Sequence, residues 1–104
     1  MEGFVRSLGF DAFVFESAEA FLTSLRIEDT SCLITDVQMP GMSGLELQRQ
    51  LVTQGRRIPI IIITAFPEQS TRERALAAGA FAYLEKPFDG DTMGNLLRKA
   101  LATP

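Results

Sequence analysis

Two hydrophobic patterns alternate along the chain, and together they predict the order of its secondary structure. Apolar residues three or four positions apart predict amphipathic helices, and short apolar runs predict buried strands. The helical pattern occurs in five segments, at residues 2–8, 17–27, 43–55, 70–78 and 91–102. The strand pattern occurs in four segments, at residues 11–15, 31–36, 59–63 and 81–86. This alternation is typical of a parallel sheet with right-handed crossovers and helices on both faces.

Local signals support the boundaries of these elements. Ser43 and Glu46 fit a capping box, in which each side chain accepts a hydrogen bond from the other residue's backbone amide. Gly55 and Gly79 follow two of the helices, where glycine is favoured because it tolerates a left-handed backbone. The helix at 43–55 is therefore predicted to begin just after the turn at Met39-Pro40-Gly41.

Polar side chains stand where three of the predicted strands end. They are the carboxylate of Asp36, the hydroxyl of Thr64 and the ammonium group of Lys86. All strands of a parallel sheet end at the same edge, where open α/β sheets bind their ligands. Each residue also has an ordinary explanation, as a turn residue, a β-former and a lysine that extends into solvent. Their convergence nevertheless predicts one functional site.

Composition and charge restrict the kind of protein further. The chain has 104 residues, enough for one domain, and its net charge of −3 argues against nonspecific binding to nucleic acid or anionic membranes. It contains no histidine, so a metal would have to be held by oxygen, which favours Mg²⁺ or Ca²⁺ over zinc. The single cysteine, Cys32, excludes an internal disulfide, and no signal peptide is evident. A cytoplasmic protein is predicted.

Several motifs resemble the receiver domain of two-component response regulators. They are Thr35-Asp36 with Met39-Pro40-Gly41-Met42-Ser43-Gly44, then Ile63-Thr64-Ala65, Ala78-Gly79-Ala80 and Tyr83-Leu84-Glu85-Lys86-Pro87-Phe88. Each motif alone is a weak signal, but their order and spacing extend the resemblance over the whole chain. The resemblance implies a phosphorelay switch rather than an enzyme, with a sensor histidine kinase as its partner.

The resemblance also implies a role for each matching residue. Asp36 corresponds to the phosphoacceptor, Lys86 to the cation that neutralises the phosphoryl oxygens, and Thr64 to the hydroxyl that donates to one of them. The backbone amide of Ala65 would help to hold the phosphoryl group. The backbone carbonyl of Gln38 would join Asp36 as a ligand of Mg²⁺.

Two further features follow from the same resemblance. Tyr83 corresponds to the aromatic residue that turns inward when Thr64 moves, although a strand tyrosine with its hydroxyl at the surface is the alternative. The peptide bond between Lys86 and Pro87 is expected to be cis, against a base rate of about 5% for such bonds. A partner-binding surface is expected on the 70–78 helix, the 81–86 strand and the last helix.

The sequence departs from the family at its beginning. Family members start with a strand that ends in two adjacent acidic residues, which hold Mg²⁺ beside the phosphoacceptor. Here the chain starts at Met1-Glu2-Gly3, within the segment that corresponds to the first helix. The prediction is therefore a flavodoxin-like, doubly wound parallel sheet that lacks its first, central strand and the start of the first helix. In this prediction residues 1–104 form a single receiver domain that is incomplete at the N-terminus because Met1 is an internal start.

Two expectations depend on that departure. Asp36 and one carbonyl are poor ligands for Mg²⁺, so metal binding is expected to be weak or absent and phosphorylation impaired; Asp11 and Glu16 are the nearest substitutes in sequence. Loss of the central strand would expose strand edges, which invite pairing with another chain. The first two strands could instead pair directly, but a homodimer or a domain-swapped oligomer is the preferred arrangement.

Other functions fit the residues less well. A phosphatase with an aspartyl nucleophile would carry a second aspartate two residues on, where this chain has Gln38. A flavin carrier would need a hydroxyl-rich phosphate loop after its first strand, and the chain has none. The main rival is a phosphorylation-independent interaction module. Control of transcription would require an output domain outside this sequence.

Overall fold

The computed structural model describes residues 18–24, 30–38, 41–56 and 58–102. These residues form four helices and three strands. The helices are α1 (Ala18–Leu22), α2 (Gly44–Thr53), α3 (Gln69–Ala77) and α4 (Gly90–Ala102). The strands are β1 (Leu33–Asp36), β2 (Ile60–Thr64) and β3 (Ala82–Glu85).

The three strands form a parallel sheet in the order β1-β2-β3. In the register, Asp36 at the end of β1 lies opposite Ile63, and Thr64 at the end of β2 lies opposite Glu85. The carboxyl ends of all three strands therefore lie along one edge. This confirms the predicted α/β class and parallel sheet.

Strand β2 is the centre of the described sheet and is buried along its whole length. Its alternating side chains point to opposite faces. Ile60 and Ile62 pack in a cluster with residues of α1, α2 and α3, whereas Ile61 and Ile63 pack against Met93 and Leu97 of α4. The helices thus cover both faces, as a continuous β-branched run predicts.

Helix α1 is shorter than its hydrophobic pattern predicts. The pattern extends to residue 27, but the helix ends at Leu22, and residues 25–29 lie outside the described residues. The Thr23 hydroxyl donates to the carbonyl oxygens of Glu19 at 3.0 Å and Ala20 at 3.3 Å. Side-chain bonds of this kind slightly destabilise a helix, which agrees with an end near Thr23.

Helix α2 begins as its sequence predicts. The backbone amide of Glu46 donates to the Ser43 hydroxyl oxygen at 3.2 Å, which is the forward bond of the capping box. The Glu46 carboxylate accepts from that same hydroxyl at 3.5 Å instead of from the Ser43 backbone amide, so the reciprocal bond is not made as predicted. The cap still fixes the direction in which α2 leaves the carboxyl edge of the sheet.

Most other predicted boundaries agree with the structure to within two residues. The helix and strand predicted at 2–8 and 11–15 lie outside the described residues, so the predicted loss of the central strand and the predicted strand exchange are not tested. Those expectations stay predictions. Within the described ranges, no helix is both long enough and apolar enough to cross a membrane.

Candidate functional site

Asp36 and Lys86 form an ion pair at the carboxyl edge of the sheet. The Lys86 Nζ donates to the Asp36 Oδ2 at 2.9 Å. Asp36 ends β1 and Lys86 follows β3, so the lysine side chain extends past the end of β2, over two strand spacings of about 4.8 Å each. The lysine side chain, the Asp36 side chain and the 2.9 Å bond between them together span that distance. The structure therefore brings together two of the three residues that the sequence predicts at this edge.

The ion pair is accessible to solvent. The side chains are 38% exposed for Lys86 and 34% exposed for Asp36. A pair this exposed is screened by water and stabilises the fold by about 1 kcal/mol at most. Its position at a strand edge open to solvent favours a role in binding or chemistry over a role in folding.

Thr64 ends β2, the strand that lies between β1 and β3 in the sheet. It is 2% exposed, and its hydroxyl oxygen accepts a hydrogen bond from the Phe66 amide at 3.0 Å. Its carbonyl accepts from the Lys86 amide at 2.7 Å, which fixes the start of the segment that carries the lysine. Because the Thr64 oxygen acts as the acceptor for Phe66, its hydroxyl hydrogen can still donate to a group bound at the edge.

The other predicted site residues follow the same strand ends. Gln38 lies two residues after Asp36 and Ala65 directly after Thr64, and both are exposed. The peptide bond between Lys86 and Pro87 is cis, in agreement with the expected geometry.

Gly44 holds the loop after Asp36 against the strand that carries it. A Cβ atom at this position would lie 2.2 Å from the Asp36 carbonyl oxygen. The Gly44 amide also donates to the Val37 carbonyl at 3.0 Å, and the Val37 amide donates to the Ile63 carbonyl at 3.0 Å. The first turn of α2 therefore packs directly on the backbone of Asp36, at a distance that only glycine allows.

Glu19 of α1 contacts the same loop. Its carboxylate Oε1 accepts a hydrogen bond from the Met42 amide at 2.9 Å. Gly41 precedes this contact with a φ of 76°, a left-handed conformation that agrees with the predicted turn. The sequence places Glu19 in the first turn of a helix, where a negative charge is favourable, but nothing in the spacing of residues 19 and 42 indicates a contact. For Gly44 a signal existed, since a glycine in the first turn of a helix often marks a close backbone approach.

The described residues do not fit a magnesium site. No group of three or more histidine, cysteine, aspartate or glutamate side chains could hold a metal among them. The Asp36 carboxylate is paired with Lys86, and Gln38 adds one carbonyl. Mg²⁺ prefers octahedral oxygen ligands that include one or two carboxylates, so this set is poor. Asp11 and Glu16 lie outside the described residues.

Cys32 is a weak candidate for nucleophilic chemistry. Burial raises the pKa of its thiol from 9.0 to about 11. The thiol therefore stays protonated at neutral pH, and the thiolate is the reactive form.

Comparison with known proteins places this geometry in a family. The family model for the response regulator receiver domain matches residues 1–98. The chain belongs to the response regulator receiver family. This receiver is 40% identical to the response regulator protein TodT of Pseudomonas putida over 101 residues, which are 97% of this chain and 44% of TodT. It is 35% identical to the transcriptional regulatory protein FixJ of Bradyrhizobium diazoefficiens over 95 residues, which are 91% of this chain and 46% of FixJ.

Solved structures agree with the fold. The response regulator StyR has a TM-score of 0.87 and 40% identity, with 96% of this chain and 50% of StyR covered. The crystal structure of FixJ-N has a TM-score of 0.84 and 34% identity, with 96% of this chain and 80% of that one covered. These similarities confirm the flavodoxin-like receiver fold. The receiver spans less than half the length of the two curated relatives described above.

Tyr83 is buried in this receiver. The residue is 8% exposed, and its hydroxyl is a buried side-chain atom without a hydrogen-bond partner in the described part of the chain. The alternative of a strand tyrosine with its hydroxyl at the surface is therefore wrong. The inward placement agrees with the position that the family resemblance implies, and it leaves one unsatisfied polar group in the core.

We expect Tyr83→Phe to stabilise the receiver by about 1 kcal/mol, because it removes an unsatisfied buried hydroxyl and keeps the ring. Urea unfolding followed by circular dichroism measures the change. Thr64→Val is the contrasting variant, since it removes a hydroxyl that accepts the Phe66 amide, and it should destabilise by about 1 kcal/mol. A destabilised Tyr83→Phe protein would show that the hydroxyl has a partner.

Proposed function

We propose that this receiver is a phosphorelay switch in which Asp36 accepts a phosphoryl group from the phosphohistidine of a sensor kinase. The observation that carries the proposal is the Asp36–Lys86 pair at the open carboxyl edge of the sheet. In the transfer, an Asp36 carboxylate oxygen forms a bond to phosphorus while the phosphorus–nitrogen bond to the kinase histidine breaks. The imidazole leaves and takes up a proton.

Lys86 and Thr64 supply what such a transfer requires of the protein. Phosphoryl transfer depends mainly on positioning and on stabilising the charge of the equatorial oxygens. The Lys86 ammonium, already 2.9 Å from the nucleophile, would neutralise that charge, and the Ala65 amide would help to hold the oxygens. Thr64 would donate its hydroxyl once the group is bound, because its oxygen accepts from the Phe66 amide and its hydrogen remains available.

Phosphorylation replaces the single negative charge of the Asp36 carboxylate by the roughly two negative charges of the phosphoryl group. In this proposal Thr64 moves toward it, and the buried Tyr83 responds because β2 and β3 are neighbours in the sheet. The signal would then reach a partner surface formed by α3, β3 and α4. Regulation of transcription, the role for which the relative FixJ is named, belongs to the same proposal.

A signalling switch fits the site better than a metabolic enzyme does. The residue two positions after Asp36 is Gln38, which cannot act as a general acid, so a phosphatase with an aspartyl nucleophile is not supported. A phosphorylation-independent interaction module remains the second candidate. The shortage of metal ligands among the described residues favours it.

Phosphorylation by acetyl phosphate distinguishes the two candidates. With Mg²⁺ in excess to offset its weak affinity for this chain, we expect the intact mass of the receiver to increase by one phosphoryl group, at the reduced rate that the shortage of metal ligands implies. The Asp36→Asn variant should show no adduct, and Asp91→Asn, which changes an exposed aspartate of α4, should be modified like the original chain. An unmodified receiver would contradict the proposal and favour the interaction module. An adduct that persists in Asp36→Asn would contradict Asp36 as the acceptor.

We expect the affinity of this chain for Mg²⁺ to be weak, because Asp36 is the carboxylate available at the described edge and Lys86 competes for it. Titration calorimetry should show no saturable binding in the micromolar range. Lys86→Ala, which removes the competing cation, is the comparison variant and should bind Mg²⁺ more tightly. Micromolar affinity that disappears in Asp36→Ala would contradict this expectation.

A further inference from the structure

A groove between α2 and α3 lies outside the proposed phosphorylation site. It has a volume of about 330 Å³, within the usual range for ligand pockets of roughly 300–1,000 Å³. Both helices leave the carboxyl edge and run back along the sheet, so the groove reaches the opposite end of the fold. The groove is lined by the side of α3 that faces α2. The partner surface proposed above uses the side of α3 next to β3 and α4.

The walls of the groove are apolar and its rim is cationic. Leu45 and Val52 of α2 and Ala77 of α3 form the walls, and Val52 is 57% exposed. Arg49 of α2 and Arg74 of α3 lie on either side. None of the described residues that line the groove is acidic. The lining therefore combines an accessible apolar surface with positive charge.

The two arginines are available to a ligand. In the described part of the chain, neither guanidinium group makes an ion pair or a hydrogen bond. By contrast, Arg56 donates to the Gln54 carboxamide at 3.0 Å and Arg98 to the Asn95 carboxamide at 3.2 Å. Unpaired guanidinium groups are suited to bidentate bonds with carboxylates.

The groove is held open by a buried contact between its two helices. Gln48, 1% exposed, forms part of the lining, and its Nε2 donates to the Ala75 carbonyl at 3.0 Å. This bond fixes the distance between α2 and α3 without any ligand. A preorganised groove loses less conformational freedom on binding, which favours affinity.

From this arrangement we propose that the groove binds a short acidic peptide of a partner protein, with one aliphatic side chain between carboxylates. The aliphatic side chain packs on Val52, and the carboxylates pair with Arg49 and Arg74. Each arginine lies one turn before the end of its helix. The partial negative charge of a helix C-terminus favours a cationic side chain at such a position.

Nuclear magnetic resonance of the labelled receiver tests the proposal with a synthetic peptide in which glutamate pairs flank a single leucine. We expect saturable shifts confined to the amides of residues 45–53 and 74–78. Arg49→Ala combined with Arg74→Ala should weaken binding at least about tenfold, because it removes two charge-assisted contacts. The matched control, Arg72→Ala with Arg98→Ala, should change affinity by less than about twofold, since neither residue lines the groove.

Four results would overturn the proposal. One is the absence of saturable binding, and another is equal binding of a peptide in which glutamines replace the glutamates. Shifts of the groove amides that depend on receiver concentration without peptide would assign the groove to a second copy. Shifts of these amides with phosphatidylserine vesicles, but not with peptide, would assign it to a membrane surface.

Discussion

Replacing Lys86 by alanine is expected to slow the phosphorylation of Asp36 by roughly 10²–10³-fold. Removal of one preorganised donor from a site of developing negative charge has an effect of this size. The ammonium group lies 2.9 Å from the carboxylate of Asp36, the proposed phosphoacceptor, so it is in place before the phosphoryl group arrives. The initial rate of mass increase with acetyl phosphate measures the loss.

A measurement of stability distinguishes this loss of phosphorylation rate from a loss of folded protein. The Asp36–Lys86 pair is more than one third exposed on average, so Lys86→Ala should change the free energy of unfolding by about 1 kcal/mol or less. Lys99→Ala, on α4, makes the same change away from the edge and should leave the rate unchanged. A Lys86→Ala protein that is phosphorylated within a few-fold of the original rate would show that the lysine does not stabilise the transfer.

Replacing Gly44 by alanine is expected to destabilise the receiver by about 3 kcal/mol. The added Cβ would lie 2.2 Å from the Asp36 carbonyl oxygen, a backbone atom that cannot move without shifting β1. Alanine gains about 1 kcal/mol over glycine in helix propensity, but overpacking against the backbone outweighs this gain. For a domain of this size, the melting temperature should fall by about 10–20 °C.

Gly55→Ala is the matched control for this variant. Gly55 has a φ of 74° and no atom within 4 Å of its added Cβ, so alanine there introduces backbone strain without a clash. It should cost about 1–2 kcal/mol, less than Gly44→Ala. Thermal unfolding followed by circular dichroism compares the two variants. Equal losses, or a neutral Gly44→Ala variant, would show that the first turn of α2 can move away from Asp36.

Much of the site follows from the sequence because it depends on topology. Asp36, Thr64 and Lys86 each follow an apolar run, and parallel pairing brings the three strand ends to one edge. The ion pair between Asp36 and Lys86 requires in addition only a long side chain at position 86. Hydrophobic periodicity likewise predicts that β2 is covered on both faces.

Contacts between side chains and distant backbone atoms do not follow from local patterns. Three features depend on how the helices and strands pack against one another. They are the bond from the Phe66 amide to Thr64, the burial of the Tyr83 hydroxyl and the packing of Gly44 on Asp36. Gln48 is a clear example, since a polar residue on an amphipathic helix is expected to face solvent. Its burial depends on the Ala75 carbonyl of another helix.

Location of the phosphoryl group within the receiver tests the central claim most directly. Borohydride reduction converts an aspartyl phosphate to homoserine, and tandem mass spectrometry of the digested protein then identifies the position. We predict homoserine at position 36 after treatment with acetyl phosphate and excess Mg²⁺, and at no other aspartate. Homoserine at another aspartate, with Asp36 unchanged, would contradict the assignment of Asp36 as the phosphoacceptor.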